Sequence, residues 1–190
     1  MAVRDVVIIG AGPSGLAAAI SAKKRGLDYQ VLEQGVLVNS IYRFPPHMVF
    51  FTTPELLEIG GMPFVSPHDK PSRGEALTYY RKVVDRFDLP IAFGERVLSV
   101  VRDAAEPVFE VETQSSRGVR RVRAARNVVF AIGYYDRPVT LGIPGEQLPQ
   151  GALPRRSDGH HSSSPASQSF PGPTPRGQQT LPSRPEHGND

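Results

Sequence analysis

The chain has 190 residues, 39% of them hydrophobic and 22% charged, with a formal net charge of +3 and no cysteine. That length suffices for one domain, or for one domain and part of a second, and the absence of thiols excludes disulfides, thiolate metal sites and a cysteine redox pair within these residues. The small positive charge is spread along the chain, so neither nucleic acid nor a membrane is expected as a partner.

The chain opens on an apolar run, Val6-Val7-Ile8-Ile9, that leads directly into Gly10-Ala11-Gly12-Pro13-Ser14-Gly15. This matches G-x-G-x-x-G, and the residues that follow, 16–25, are rich in helix formers. Strand, glycine turn and helix therefore come in the order that a dinucleotide site needs. Gly10 permits the tight turn, Gly12 lets a pyrophosphate approach the backbone, and Gly15 lets the helix sit close to the sheet. The first amides of the helix then face the phosphates.

Gly26 is a plausible stop for that helix, and a second short strand follows, Tyr29-Gln30-Val31-Leu32-Glu33. It ends in an acid roughly 20 residues beyond the glycines, where a carboxylate accepts hydrogen bonds from the ribose hydroxyls of an adenosine. Glu33, with Gln34 beside it, would repel the extra phosphate of NADP, so this site is expected to take FAD or NAD. A secretory signal is not expected. Asp5 sits beside Arg4, glycines and Pro13 break the apolar stretch, and no run reaches the roughly 18 apolar residues that span a bilayer. The expected location is the cytoplasm.

Residues 35–71 read as a long loop with prolines and aromatics, interrupted by Met48-Val49-Phe50-Phe51, and long connections of this kind tend to be functional. Ser72 and Glu75 then form a capping box ahead of Ala76, Leu77, Tyr80, Val83, Val84 and Phe87 at helical spacing, which places those side chains in a core. Three β-type segments, 97–101, 108–113 and 118–124, predict an antiparallel meander with one face covered. The basic residues between Arg117 and Arg126 read as its solvated face. Residues 127–132 are expected to return as a separate buried strand.

Taken with Ala131-Ile132-Gly133-Tyr134-Tyr135-Asp136-Arg137-Pro138 and Ile143-Pro144-Gly145, this order resembles the two-dinucleotide-domain flavoproteins of the thioredoxin-reductase type. Leu37-Val38-Asn39-Ser40-Ile41-Tyr42-Arg43-Phe44-Pro45 and Phe50-Phe51-Thr52-Thr53-Pro54-Glu55-Leu56-Leu57-Glu58-Ile59-Gly60 are similar to the bacillithiol disulfide reductase family. The resemblance covers residues 3 to about 149 and implies an α/β, three-layer FAD-binding fold of the Rossmann type with an antiparallel meander. It implies an FAD-dependent enzyme that takes a hydride from NADPH and reduces a low-molecular-weight thiol disulfide; a homo-oligomer is compatible with the full-length family.

Under that resemblance Gly10, Gly12, Pro13, Ser14 and Gly15 cradle the FAD pyrophosphate, and Glu33 and Gln34 lie at the adenosine ribose. Asn39 and Ser40 run beside the pyrophosphate and flavin, the backbone of Val97 meets the adenine edge, and Ala131 and Gly133 lie against the cofactor. Asn39 and Ser40 also read as simple turn formers, and Val97 as core. No catalytic residue and no metal ligand is assigned. Ile132 stands where relatives often have threonine, and Ser14 where some carry a cysteine proposed to be redox-active.

Residues 151–190 hold seven prolines, seven serines and five glycines and few apolar side chains, so the cost of ordering them exceeds what burial returns. The expected organisation is an incomplete FAD-binding domain at 1–149 and a disordered tail at 150–190. The tail reads as a natural linker, a proline-rich ligand or the product of a frameshift, and the family's NADPH domain is not recognisable in it. Two other functions stay open, a flavin monooxygenase and a non-catalytic nucleotide-binding fragment.

Overall fold

A computed structural model describes residues 2–104, 106–134 and Gly142. Val3–Ile9 (β1), Pro13–Lys24 (α1) and Tyr29–Glu33 (β2) form the expected strand, helix and strand. Gly26 takes a left-handed φ of 67° just past the Arg25 cap, so it ends α1 as anticipated. The long connection is less loop-like than the sequence suggested. It contains a short helix, Asn39–Arg43 (α2), and a 3-10 turn at Pro54–Leu57 before Arg73–Phe87 (α3).

Ile91–Phe93 (β3), Glu95–Arg102 (β4), Phe109–Ser115 (β5) and Arg120–Phe130 (β6) complete a six-stranded sheet of order β3-β2-β1-β6-β5-β4. The first four strands in that order run parallel and the last three form the antiparallel meander, with β6 belonging to both groups. Alternation along β1 and β2 then builds three layers. Val6, Ile8, Tyr29 and Val31 face α1 and α3, where they meet Leu16, Ile20, Ala76, Tyr80 and Val83. Val7, Ile9 and Leu32 face the other way and pack with Val111, Ala125, Val97 and Val100 of the meander. Because both faces of these strands are covered, the sequence shows a continuous apolar run.

One element departs from the expectation. Residues 127–132 do not form a separate buried strand: β6 runs unbroken from Arg120 to Phe130, pairing antiparallel with β5 through Ala125 and parallel with β1 from Ala124 onward. Only Ala124 and Ala125 have partners on both sides. Beyond them β1 is the single strand neighbour among the described residues, which leaves Phe130 63% and Ile132 61% exposed. Period-two alternation cannot reveal such a change of partners, because it is the same on both halves.

The basic stretch is also more than a solvated face. Arg123 is 16% exposed and, with Arg121, pairs with the buried carboxylate of Glu95, while its Nε donates to Gln30 Oε1 of β2 at 3.2 Å. Thr113 Oγ1 donates to the same carboxylate at 2.9 Å. Burial pushes the Glu95 pKa up, but the Thr113 hydroxyl and the guanidiniums of Arg123 and Arg121 outweigh it and hold the carboxyl below its ordinary value. This network joins all three meander strands and ties them to β2. The expected tail at 150–190, and the boundary before it, lie outside the described residues. No helix among the described residues is long and apolar enough to cross a membrane.

The capping box of α3 forms as read. Glu75 N donates to Ser72 Oγ at 3.3 Å, and the Glu75 carboxylate accepts from Ser72 N at 2.8 Å and from the hydroxyls of Ser72 and Ser66 at 2.7 Å each. These bonds, the Ser72 amide first, bring the Glu75 pKa down from 4.5 to about 2. A carboxyl whose folded pKa is depressed stabilises above its unfolded pKa and loses that contribution as pH falls through the folded one. Thermal stability is therefore expected to fall between pH 4.5 and about 2. Glu75→Gln keeps a capping side chain but removes the titration, so a calorimetric series over this window should show a shallower decline. An unchanged slope would contradict this role.

Candidate functional site

The C-terminal ends of β1, β2 and β6 converge on the glycine turn. Gly10 N donates to Leu32 O at 2.7 Å and Ala131 N to Ile9 O at 2.8 Å, which locks the turn between its two neighbouring strands. A Cβ on Gly10, whose φ is 108°, would lie 2.3 Å from Ala131 O, and one on Gly15 would lie 1.9 Å from Gly10 O. Both glycines are demanded by the fold itself. Gly12 is different, because a Cβ there would meet nothing within 4 Å. Its φ of −77° is open to any residue, so neither packing nor backbone geometry explains this glycine. The open space leaves room for a body outside the chain to approach the backbone there.

Gly12 is also the N-cap of α1, where Ser, Thr, Asp or Asn would normally satisfy an amide, and no side chain caps the helix. Pro13 follows at the first helical position and contributes no N–H. The amides of Ser14 and Gly15 in this first turn lack intrahelical acceptors, and Ser14 is exposed. A helix start with open donors, a positive dipole end and a bare glycine fits a phosphate group.

Glu33, at the end of β2, is 6% exposed, and its two oxygens accept from Ala11 N at 2.8 Å and Gly35 N at 2.7 Å. A carboxylate has about four acceptor positions, so capacity remains for hydroxyl donors. Gln34 is exposed beside it. Asn39 and Ser40 are not turn residues. They form the first turn of α2, with Asn39 Oδ1 2.6 Å from where a Cβ on Gly35 would stand and Ser40 Oγ 3.7 Å from the same point on Gly133.

Val38, the residue before α2, is a feature that sequence reading missed. It is buried with φ 46° and ψ 49°, a left-handed conformation that costs a β-branched residue on the order of 1–3 kcal/mol. Its amide donates to Ala11 O at 3.1 Å. A strained residue hydrogen-bonded to the glycine turn marks the place where the fold gives up stability for geometry, and no signal in the sequence announces it. Gly133 has a φ of 78° and is exposed, next to Ala131. Val97 lies farther along, at an irregularity in the β4–β5 register between Val97 and Ser99. It packs in the same core as Leu32, the neighbour of Glu33, and β4 is the last strand of the sheet. The structure thus gathers Gly10, Gly12, Pro13, Ser14, Gly15, Glu33, Asn39, Ser40, Ala131 and Gly133 at one end of the parallel strands, the usual ligand position in open α/β sheets.

Residues 7–161 match the family model for pyridine nucleotide-disulphide oxidoreductases. The chain belongs to that family. It is 41% identical over 144 residues to bacilliredoxin reductase Bdr of Bacillus subtilis, an alignment covering 76% of this chain and 43% of that protein. The solved bacillithiol disulfide reductase Bdr of Bacillus cereus superposes with a TM-score of 0.73 at 44% identity, over 78% of this chain and 45% of the other. A flavin-containing monooxygenase from Stenotrophomonas maltophilia superposes with a TM-score of 0.60 at 28% identity, over 69% and 38%. The chain spans less than half the length of these family relatives.

Gly12 and Gly15 are expected to respond differently to a methyl group. Gly12→Ala meets no steric contact and should cost no more than about 1 kcal/mol, the loss of a preferred N-cap residue. Gly15→Ala forces a contact with backbone and should cost more than about 2 kcal/mol. Urea unfolding of both variants checks this, and equal costs would remove the argument that Gly12 answers to something outside the chain.

Proposed function

We propose that this chain holds FAD at the glycine turn and forms the flavin-binding part of an NADPH-dependent enzyme that reduces the disulfide of a low-molecular-weight thiol of the bacillithiol class. The observation that carries the reading is Gly12, bare at an uncapped helix start where the fold permits a side chain. The likeness to Bdr proteins at 41% and 44% identity supports the substrate class. In this reading Gly12, Ser14 and Gly15 offer backbone to the pyrophosphate, with Gly10 and Pro13 shaping the turn. Glu33 accepts from the ribose hydroxyls, with Gln34 at its rim. Asn39, Ser40, Ala131 and Gly133 border the path toward the flavin, and the backbone of Val97 meets the adenine edge. FAD, held by these residues, would supply the two-electron redox chemistry that this chain's side chains lack.

Glu33 also decides which dinucleotide is accepted. Two like charges 4 Å apart at an effective dielectric constant of about 20 repel by about 4 kcal/mol, well above the 1.4 kcal/mol that makes a tenfold difference in affinity. The ribose phosphate of NADPH is thereby excluded from this site. NADPH must be held elsewhere in the full-length enzyme.

A flavin monooxygenase is the second reading, favoured by one observation. Position 14 holds a serine and none of the 190 residues is cysteine, so no thiol in this chain relays electrons to a disulfide. Titration of the purified chain with FAD and with NADPH, followed by flavin fluorescence and absorbance, tests the cofactor assignment. FAD is expected to bind at least about tenfold tighter, and Gly12→Val to abolish its binding. Preferential binding of NADPH would sink the proposal. In the full-length enzyme, NADPH consumption driven by bacillithiol disulfide supports the reductase, and consumption driven by oxygen alone supports the monooxygenase.

A further inference from the structure

Arg73 occupies the first position of α3, where the helix dipole disfavours a cation. Its guanidinium turns away from its own helix. Nε donates to Ile41 O at 3.1 Å and Nη2 to Tyr42 O, the carbonyls at the C-terminal end of α2, where the dipole of that helix favours positive charge. The guanidinium also lies 5.5 Å from the Tyr42 ring centroid, and the Arg73 amide donates to Met48 O at 2.8 Å.

A helix of five residues does not hold its own position, so external contacts must set where α2 sits. At its front, Val38 is bonded to Ala11 in a strained conformation that persists only if the surroundings over-determine it. At its back, Ile41 and Phe44 pack into the core, and Arg73 supplies the side-chain hydrogen bonds to the Ile41 and Tyr42 carbonyls. We infer that Arg73 is a positioning residue for the cofactor: by clamping the last carbonyls of α2 it keeps Val38 left-handed and holds Asn39 and Ser40 against Gly35 and Gly133. It acts at a distance. No contact between Arg73 and the glycine turn is needed, because α2 transmits the constraint. The inference rests on the flavin reading given above.

Three variants of the 190-residue chain test it, each measured by FAD titration and by amide hydrogen exchange of the ligand-free protein. Arg73→Met keeps the stem against Tyr42 but loses both donors, and is expected to weaken FAD by about tenfold and to speed exchange at residues 37–44 while the rest of the fold keeps its protection. Arg73→Lys, with one compact charge in place of a planar fork, should fall between Arg73→Met and wild type. Ser72→Ala destabilises the same end of α3 without touching α2 and should leave FAD affinity within about twofold, which separates positioning from general stability. The clamp is overturned if Arg73→Met binds FAD as the wild type does, or if Ser72→Ala weakens it equally. A wild-type chain that takes up no FAD contradicts the flavin reading instead. In that case unchanged protection of residues 37–44 in Arg73→Met overturns the clamp, and loss confined to them upholds it.

Discussion

The two hydrogen bonds that Glu33 accepts, from Ala11 and from Gly35, hold the site together. A buried charge is costly unless its lone pairs are met, and backbone amides meet these at normal charge-assisted distances. In accepting them the carboxylate joins the end of β2 to the glycine turn on one side and to the segment that leads into α2 on the other. The turn is thus shaped by the chain's own groups. In the proposed site a pyrophosphate at Gly12 would find its donors already arranged, which lowers the ordering cost of binding.

The same strands answer to two cores. Even-numbered residues of β1 close against α1 and α3, odd-numbered ones against the meander, and β6 changes partner at Ala124 and Ala125. The Glu95, Thr113, Arg121 and Arg123 network, anchored on Gln30, then binds the meander to β2. That attachment bears on the position of Glu33, since Val97 and Leu32 share one core and Glu33 follows Leu32. Replacing Glu95 would leave the largely buried Arg123 without its carboxylate, a larger loss than the pair's net contribution.

Much of this was legible in the residue order. The glycine turn, the acid at the end of the second strand, the Ser72 and Glu75 capping box and the alternation of the meander each rest on local rules, and each appears where those rules put it. What stayed hidden depends on contacts distant in sequence. The Arg123 guanidinium reaches Gln30 across 93 positions, which no charge pattern along β6 could reveal. The left-handed Val38 contradicts its own propensity and is imposed by Ala11 and by the packing of α2. Asn39 and Ser40 are common in turns, and only tertiary contacts make them helical.

Membership among pyridine nucleotide-disulphide oxidoreductases gives the class of chemistry. The bare Gly12, the uncapped start of α1 and the buried Glu33 are the groups on which the proposed dinucleotide site rests. The central claim is that these groups form one binding surface, and amide chemical shifts recorded on the 190-residue chain as FAD is added test it most directly. The account expects the largest changes at Ala11, Gly12, Ser14, Gly15 and Gly35, with smaller ones at Asn39, Ser40 and Gly133. Saturable shifts centred elsewhere, with these amides unmoved, would contradict it.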